Sequence, residues 1–227
     1  MSGTLWGVGV GPGDPSLMTL KAVEVLSSAA VVAVPDSGGD KKALAVAAAY
    51  IEGKEVLACP APMTRDEEVL TAGRKKSADM ICERLAEGSD VAFLTLGDPS
   101  IYSTYLYLHE LVLERGYPAR IVPGVPSFCA AAAVLGRPLC RADESLHVIS
   151  ASDPRLAQRL REKGCKAIMK SGRKMAEVLR TLEELGLGSK ARIVEACGME
   201  GEKVYRSLDE AKIDPGYLSI IIVEGSE

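Results

Sequence analysis

Residues 5–15 read Leu-Trp-Gly-Val-Gly-Val-Gly-Pro-Gly-Asp-Pro, an apolar run followed by a glycine-rich turn and an Asp-Pro pair. Its first half, residues 5–10, is a short apolar run that is typical of a buried strand. The glycines then form a turn, after which Asp14 can cap the free amides of a helix and Pro15 can occupy its first position. A strand that passes through a glycine-rich turn into a helix indicates the opening unit of an α/β fold.

Short apolar runs alternate with longer amphipathic segments through the first half of the chain. The predicted strands are residues 5–10, 30–34, 55–58, 91–96 and 120–122. The predicted helices are residues 15–27, 42–51, 66–87 and 99–115. The helix at 99–115 opens with Asp98-Pro99, the same pair that opens the first helix. This order of elements predicts a mainly parallel sheet that is flanked by helices.

The pattern restarts after Pro123-Gly124-Val125-Pro126. Helices are predicted at residues 128–135, from residue 154, and at 173–185. Strands are predicted at residues 146–150, 167–170, 193–196, 204–206 and 218–223. The last three strands have no helix between them, so antiparallel pairing at the end of a mixed sheet is expected. We therefore expect two α/β domains, residues 1–124 and 125–227, with a ligand cleft between them.

Composition narrows the class of protein. The chain has 227 residues, of which 47% are hydrophobic, and a formal net charge of -4. That charge provides no basic field for a nucleic acid, so a small-molecule partner is expected. The apolar runs are far shorter than the roughly 20 residues of a membrane-spanning helix, and no secretory signal opens the chain. These patterns predict a cytoplasmic protein with no membrane partner.

The cysteines and histidines do not have the spacing of a metal site. The six cysteines are scattered without a Cys-x-x-Cys pair, and the chain has two histidines. His109 falls within an apolar helical pattern and His147 within a strand-like run. Buried or incidental thiols and structural histidines are the better interpretation, and no metal is predicted.

Two further motifs follow predicted strands. Residues 96–105 read Leu-Gly-Asp-Pro-Ser-Ile-Tyr-Ser-Thr-Tyr, and residues 122–128 read Val-Pro-Gly-Val-Pro-Ser-Phe. Ligands of open α/β sheets bind at the carboxyl ends of the strands, where Gly97 would let backbone groups meet a ligand directly. The second motif taken alone is equally compatible with a plain hinge between domains.

The glycine-rich turn alone leaves alternatives open. It is partly similar to a dinucleotide-binding fingerprint, with Asp36 after the second strand as the acid for a ribose. Pro12 disturbs the glycine spacing of that fingerprint. A nicotinamide-dependent reductase, a non-enzymatic carrier of tetrapyrroles or nucleotides, and a tight turn without any ligand are therefore the alternatives.

Taken together and in this order, the three motifs resemble the tetrapyrrole methylases, the class III S-adenosylmethionine-dependent methyltransferases. The resemblance covers nearly the whole chain. Within the family, Pro62-Met63-Thr64-Arg65-Asp66 and residues 95–105 are similar to the enzymes that methylate C20 of precorrin-2 or cobalt-factor II on the cobalamin pathway. Enzymes that methylate another ring position are the alternative within the family, and the same segments would suit a ring with or without cobalt.

The resemblance implies an S-adenosylmethionine site, with S-adenosylhomocysteine as the product. The matching cofactor-binding positions lie in the three motifs and in the second domain. They are Pro12, Leu96, Gly97, Asp98, Ile101, Ser127, Phe128, Met169 and Gly198. An ordinary core role is the alternative for Met169.

The implied substrate is a polycarboxylated tetrapyrrole, and Arg65, Tyr102 and Tyr105 are the expected substrate-binding residues. Basic residues beside the expected cleft could also meet its carboxylates: Lys41, Lys42, Arg74, Lys75 and Lys76. The attacking ring carbon needs no strong base, but a proton must leave it afterwards. Asp98, Tyr102 and Asp36 are candidates for that proton transfer, and water competes with them. The family resemblance also implies a homodimer.

Overall fold

The computed structural model describes residues 2–36, 42–64, 66–210, 216 and 218–225. The chain divides into two compact units, Met1–Pro126 and Ser127–Glu227. Both units are α/β, and each has a sheet of its own. Among the described residues, no helix is both long enough and apolar enough to cross a membrane.

The sheet of the first unit is parallel throughout, as the sequence predicts for its main part. Its strands lie in the order β3-β2-β4-β1-β5. Their bounds are β1 Leu5–Gly9, β2 Val31–Asp36, β3 Glu55–Pro60, β4 Val91–Thr95 and β5 Ala119–Val122. All five carboxyl ends therefore meet at one edge of this sheet, which we call the first carboxyl edge.

Helices cover both faces of this sheet. Their bounds are α1 Leu20–Ser28, α2 Lys42–Ile51, α3 Glu67–Ala86 and α4 Tyr105–Glu114. Side chains alternate along each strand, so that Val32 and Val34 pack with α1 and α2 while Val31 and Ala33 pack with α3 and α4. Burial on both faces explains why these strands are continuous apolar runs in the sequence.

Two predicted helix starts are wrong. Asp14 accepts a hydrogen bond from the Ser16 amide and caps only a 3₁₀ turn, Pro15–Leu17. The helix α1 begins later, at Leu20, where the Thr19 hydroxyl accepts from the Ala22 amide. An aspartate that bonds an amide two residues ahead closes a local turn, and such a turn does not have to continue into a helix.

The second Asp-Pro pair is also followed by a turn. The helix α4 begins at Tyr105, six residues beyond the predicted start at residue 99. Tyr102 has a left-handed backbone with φ +48°, which is incompatible with a continuous right-handed helix through this position. By contrast, α3 begins directly after its N-cap Asp66, whose carboxylate accepts from the amides of Glu68 and Val69, as predicted.

The second unit has the predicted mixed sheet, in the order β6-β7-β10-β8-β9. The strands are β6 Leu146–Ser150, β7 Cys165–Met169, β8 Ala191–Glu195, β9 Lys203–Tyr205 and β10 Ser219–Val223; the helices are α5 Ser127–Leu135, α6 Leu156–Arg161 and α7 Met175–Glu184. The predicted antiparallel pairing occurs between β8 and β9 and between β8 and β10. The last strand, however, lies between β7 and β8 rather than at the end of the sheet.

The strand directions fix a second edge. β6 is parallel to β7, while β10 is antiparallel to both β7 and β8. The carboxyl ends of β6, β7 and β8 therefore lie at one edge of this sheet, which we call the second carboxyl edge.

Candidate functional site

Three loops leave the first carboxyl edge, after β1, β4 and β5, and their backbones pair directly. The Gly97 amide donates to the Gly11 carbonyl at 2.7 Å, and the Gly11 amide donates to the Gly97 carbonyl at 3.3 Å. Both residues have left-handed backbones, with φ +78° at Gly11 and +77° at Gly97. Glycine adopts this conformation without the steric cost that a β-carbon brings. The first two loops are thus joined through backbone at positions that require glycine.

The third loop approaches even more closely. A β-carbon at Gly9 would lie 2.6 Å from the Gly124 nitrogen and 2.7 Å from the Gly97 oxygen. A β-carbon at Gly124 would lie 2.8 Å from the Gly9 α-carbon and would overlap the Gly97 oxygen. We call Gly9, Gly97 and Gly124 the glycine contact. The sequence motifs pointed to Gly97, but the packing role of Gly9 and Gly124 was missed, although glycine at the end of three separate strands was a signal for it.

Asp98 fastens two of these loops together. Its side chain is only 8% exposed. One carboxylate oxygen accepts from the Ser100 amide at 2.8 Å and from the Ser100 hydroxyl, and the other accepts from the Gly124 amide at 2.9 Å. Both oxygens therefore already have donors, and the geometry supports a positioning role for Asp98 over the predicted role as a proton acceptor.

Thr19 connects the first loop to the third. While its hydroxyl accepts from the Ala22 amide, it also donates to the Pro123 carbonyl at 3.3 Å. Pro12, a predicted cofactor-binding residue, is buried in the first loop, and the side chains of Leu96 and Ile101 are partly exposed. The structure therefore brings Pro12, Leu96, Gly97, Asp98 and Ile101 into the loops of one edge.

The two tyrosines that were expected to bind substrate have different environments. Tyr102 is 44% exposed, so a ligand can reach it. Tyr105 is fully buried, and its hydroxyl donates to the Arg120 carbonyl at 2.6 Å and lies 3.0 Å from Nδ1 of His109. Burial also raises the pKa of the Tyr105 hydroxyl. A β-carbon at Gly7 would overlap the Tyr105 ring, so this ring fills a space in the core, and its burial argues against the expectation that it contacts substrate.

The remaining first-unit candidates are spread along the edge and its helices. Asp36 ends β2 with an exposed side chain, and Lys42 begins α2. Arg74 stacks over the Tyr107 ring at 3.8 Å from its centroid and lies 3.8 Å from Glu67. Lys75 and Lys76 are exposed on α3, whereas Arg65 and Lys41 lie outside the described residues.

The second-unit candidates lie near the start of α5 and at the second carboxyl edge. Ser127 and Phe128 open α5, and Phe128 is buried. Met169 ends β7, and Gly198 follows β8 with its amide donating to Glu202 at 2.7 Å. The parallel orientation of β7 and β8 brings Met169 and Gly198 to the same edge.

Two residues of the second carboxyl edge have left-handed backbones although neither is glycine. They are Lys170, with φ +59°, directly after β7, and Ala196, with φ +50°, directly after β8. Such conformations cost energy for residues with a β-carbon and cluster at functional sites. Sequence reasoning did not single out either residue, because neither lysine nor alanine signals this conformation.

The thiols have the character of structural residues. Burial raises the pKa of Cys59 to about 12 and that of Cys197 to about 11, so both thiols stay protonated at neutral pH. Thiolates rather than thiols bind metals and attack electrophiles. In the described part of the chain, no group of three or more His, Cys, Asp and Glu side chains could hold a metal ion.

The sequence and the fold were compared with those of known proteins. The sequence model of one protein family, the Tetrapyrrole (Corrin/Porphyrin) Methylases, matches residues 4–212 of the chain. The probable cobalt-precorrin-2 C(20)-methyltransferase of Methanocaldococcus jannaschii is 34% identical, over 97% of this chain and 95% of that protein. The cobalt-precorrin-2 C(20)-methyltransferase of Salmonella typhimurium is also 34% identical, over 98% and 97%.

A solved structure shares the fold. The uroporphyrin-III C-methyltransferase of Thermus thermophilus, complexed with S-adenosylhomocysteine, superposes with a TM-score of 0.73 at 22% identity, and the match covers 98% of this chain and 97% of that one. At this level of identity the likeness bears on the fold alone.

Proposed function

The chain belongs to the tetrapyrrole (corrin/porphyrin) methylase family, and from this premise we propose that it transfers a methyl group from S-adenosylmethionine to C20 of precorrin-2 or cobalt-factor II. The names of relatives that match nearly their full length support this reaction. So does the segment Met63-Thr64-Arg65-Asp66, which is similar to that of the C20 enzymes. Methylation at another ring position, the alternative within the family, is not favoured by these relatives.

The glycine contact is the observation that carries the proposal. Gly9, Gly97 and Gly124 pack backbone on backbone at the carboxyl ends of neighbouring strands, where open α/β sheets bind ligands. Because these positions lack side chains, the three loops can lie against one another, and their remaining amide and carbonyl groups can meet a ligand that presents both donors and acceptors. The adenosine and amino-acid parts of S-adenosylmethionine carry both hydrogen-bond donors and acceptors. The residues present therefore fit this cofactor.

The same geometry argues against the nicotinamide alternative. In a dinucleotide-binding fold the glycine turn opens directly into a helix whose N-terminus meets the pyrophosphate. Here the 3₁₀ turn Pro15–Leu17 intervenes, and α1 begins only at Leu20. The pairing of Gly11 with Gly97 also occupies backbone groups that a phosphate would need.

The protein's part in the reaction is mainly positioning. S-adenosylmethionine supplies a methyl group on a sulfonium, and the electron-rich ring carbon is itself the nucleophile. The hydrogen bonds of Asp98 and Thr19 connect the three loops. The loops that would orient both ligands are therefore in place before either ligand binds. Orientation of this kind can account for roughly 7–11 kcal/mol of an activation barrier in favourable systems.

A proton leaves C20 after methyl transfer, and the candidates to receive it have different environments. Asp98 would first have to give up its hydrogen bonds to Ser100 and Gly124. Asp36 and Tyr102 are accessible at the first carboxyl edge and stay candidates, with water as their competitor.

The substrate carboxylates call for cationic partners. Arg65 is our proposed anchor because it lies in the segment that resembles the C20 enzymes. Replacing Arg65 with alanine should weaken binding of the tetrapyrrole and leave the affinity for S-adenosylhomocysteine nearly unchanged. A homodimer and the cofactor contacts of Ser127, Phe128, Met169 and Gly198 belong to the same proposal and rest on the family resemblance. A cytoplasmic location is also proposed, from the sequence pattern alone.

Calorimetric titration tests the proposed class of enzyme. We expect saturable binding of S-adenosylhomocysteine and none of NADH. Binding of NADH without S-adenosylhomocysteine would replace the methyltransferase proposal with the reductase alternative.

A further inference from the structure

Lys170 has an unusual backbone at a position where ligands of this fold are expected. It follows β7 directly and has a left-handed φ of +59°. The Ala151 amide donates to the carbonyl of the preceding residue, Met169, at 2.8 Å, which ties the ends of β6 and β7 together. The surrounding edge thus holds Lys170 in a conformation that a lysine disfavours.

The ammonium group of Lys170 is not paired with any described residue. Among the described residues, no hydrogen bond or ion pair is found for its ammonium group. The residue is accessible to solvent, but the surrounding protein lowers the pKa of Lys170 through desolvation. An accessible cation that has lost part of its hydration and gained no protein partner is suited to bind an anion.

Lys166, four residues earlier and within β7, shows the contrast. Its side chain is buried, and its ammonium donates to the carbonyls of Glu162 and Gly164 at 2.5 and 2.7 Å. Lys174, four residues later, pairs with Glu177. Both of these ammonium groups have partners within the protein, whereas that of Lys170 has no partner among the described residues.

We propose that Lys170 binds a carboxylate of a ligand at the second carboxyl edge. The inference rests on the proposed function, because both of its ligands carry carboxylates. One source is the amino-acid end of S-adenosylmethionine, and the other is an acetate or propionate of the tetrapyrrole. A lysine ammonium forms charge-assisted hydrogen bonds with either one.

The test uses the full-length protein with three substitutions. Lys170→Gly removes the charge and also relieves the left-handed strain, so the variant should fold at least as well as the wild type. Lys170→Arg keeps the charge. Lys163→Met is the matched control, because it removes an exposed lysine from the same unit. Thermal unfolding of each variant checks that the fold is kept.

Calorimetry with three probes then distinguishes the two carboxylate sources. If Lys170 binds the amino-acid carboxylate, Lys170→Gly should weaken S-adenosylhomocysteine about tenfold or more and leave 5′-methylthioadenosine, which lacks that carboxylate, unchanged. If it binds the ring, only the affinity for precorrin-2 should fall by that factor. Lys170→Arg should restore most of the lost affinity, and Lys163→Met should show no loss.

Unchanged affinity of Lys170→Gly for all three probes would overturn the assignment of Lys170 and leave the proposed function standing. An equal loss with 5′-methylthioadenosine would also overturn it, because the effect would not depend on a carboxylate. A wild-type protein that binds neither S-adenosylhomocysteine nor precorrin-2 would instead overturn the proposed function, and the assignment of Lys170 with it.

Discussion

The two carboxyl edges build their turns from different residues. At the first edge the left-handed positions Gly11 and Gly97 are glycines, and the loops touch through backbone alone. At the second edge Lys170 and Ala196 hold left-handed backbones despite their β-carbons. Where the loops of the first edge touch, glycine lets backbone meet backbone, whereas the residues directly after β7 and β8 keep a β-carbon in the left-handed conformation at the cost of strain. Adding a β-carbon at the first edge and removing one at the second would test this difference.

The largest effect is expected for Gly124→Ala. The new β-carbon would overlap the Gly97 carbonyl and lie 2.8 Å from the Gly9 α-carbon, so the three loops must separate. We expect binding of S-adenosylhomocysteine to be lost and the free energy of unfolding to fall by about 1–3 kcal/mol. Calorimetry and chemical denaturation measure the two effects.

Gly188→Ala is the matched control for that change. A β-carbon at Gly188 would meet only the Leu208 side chain, at an ordinary contact distance of 3.5 Å. We expect the control to bind S-adenosylhomocysteine normally. A Gly124→Ala variant that binds equally well would show that the glycine contact is not part of the cofactor site.

Asp98→Ala should have the next largest effect. The substitution leaves the Gly124 and Ser100 amides without their acceptor, which costs about 1–3 kcal/mol where these groups stay buried. If Asp98 acts by tying the loops, Asp98→Asn, which keeps one acceptor oxygen, should restore part of the S-adenosylhomocysteine affinity. If Asp98→Asn bound the ligand normally but lost all turnover, a role in proton transfer would replace the role in positioning.

Tyr105→Phe and Tyr102→Phe compare a buried tyrosine of the first unit with a partly exposed one. The first of these changes is expected to affect stability. It removes the hydrogen bond to the Arg120 carbonyl, so we expect the free energy of unfolding to fall by about 1 kcal/mol and turnover by the folded enzyme to persist. Tyr102→Phe should change stability less than Tyr105→Phe, because Tyr102 is 44% exposed. A loss of tetrapyrrole affinity specific to Tyr105→Phe would return Tyr105 to the substrate site.

The smallest effect, and the only gain, is expected for Ala196→Gly. Relief of the left-handed strain outweighs the extra flexibility of glycine in the unfolded chain, so the free energy of unfolding should rise by up to about 1 kcal/mol. Ala191→Gly, at the start of β8, should destabilise the protein, because Ala191 is buried and its backbone is extended. A loss of stability in Ala196→Gly would mean that this turn is not strained.

The sequence predicted the features of the fold that depend on local pattern. The apolar runs gave the strands, and Asp66 gave the start of α3 because it caps the first amides that follow it. The Asp-Pro pairs misled, since Asp14 and Asp98 bond amides two residues ahead and close turns instead. The place of β10 between β7 and β8 depends on pairing between strands that are distant in the chain, which no local pattern encodes.

The site was predictable to a similar extent. Gly97 and its loop were recognisable because glycine after a buried strand indicates close backbone approach. Tyr105 was misjudged, since its burial depends on the space left by Gly7 on a different strand. The strain at Lys170 depends on how β6 and β7 are tied together, so the lysine itself carries no signal of it.

Methylation at C20 can be tested by locating the methyl group that the enzyme transfers. The enzyme would be incubated with S-adenosylmethionine carrying a ¹³C-methyl group and with precorrin-2 or its cobalt complex, and the product would be examined by carbon NMR. We predict a single labelled methyl group on the C20 bridge carbon. Label on a pyrrole carbon would contradict the assignment to C20, and the absence of any transferred label from both substrates would contradict the proposed reaction as a whole.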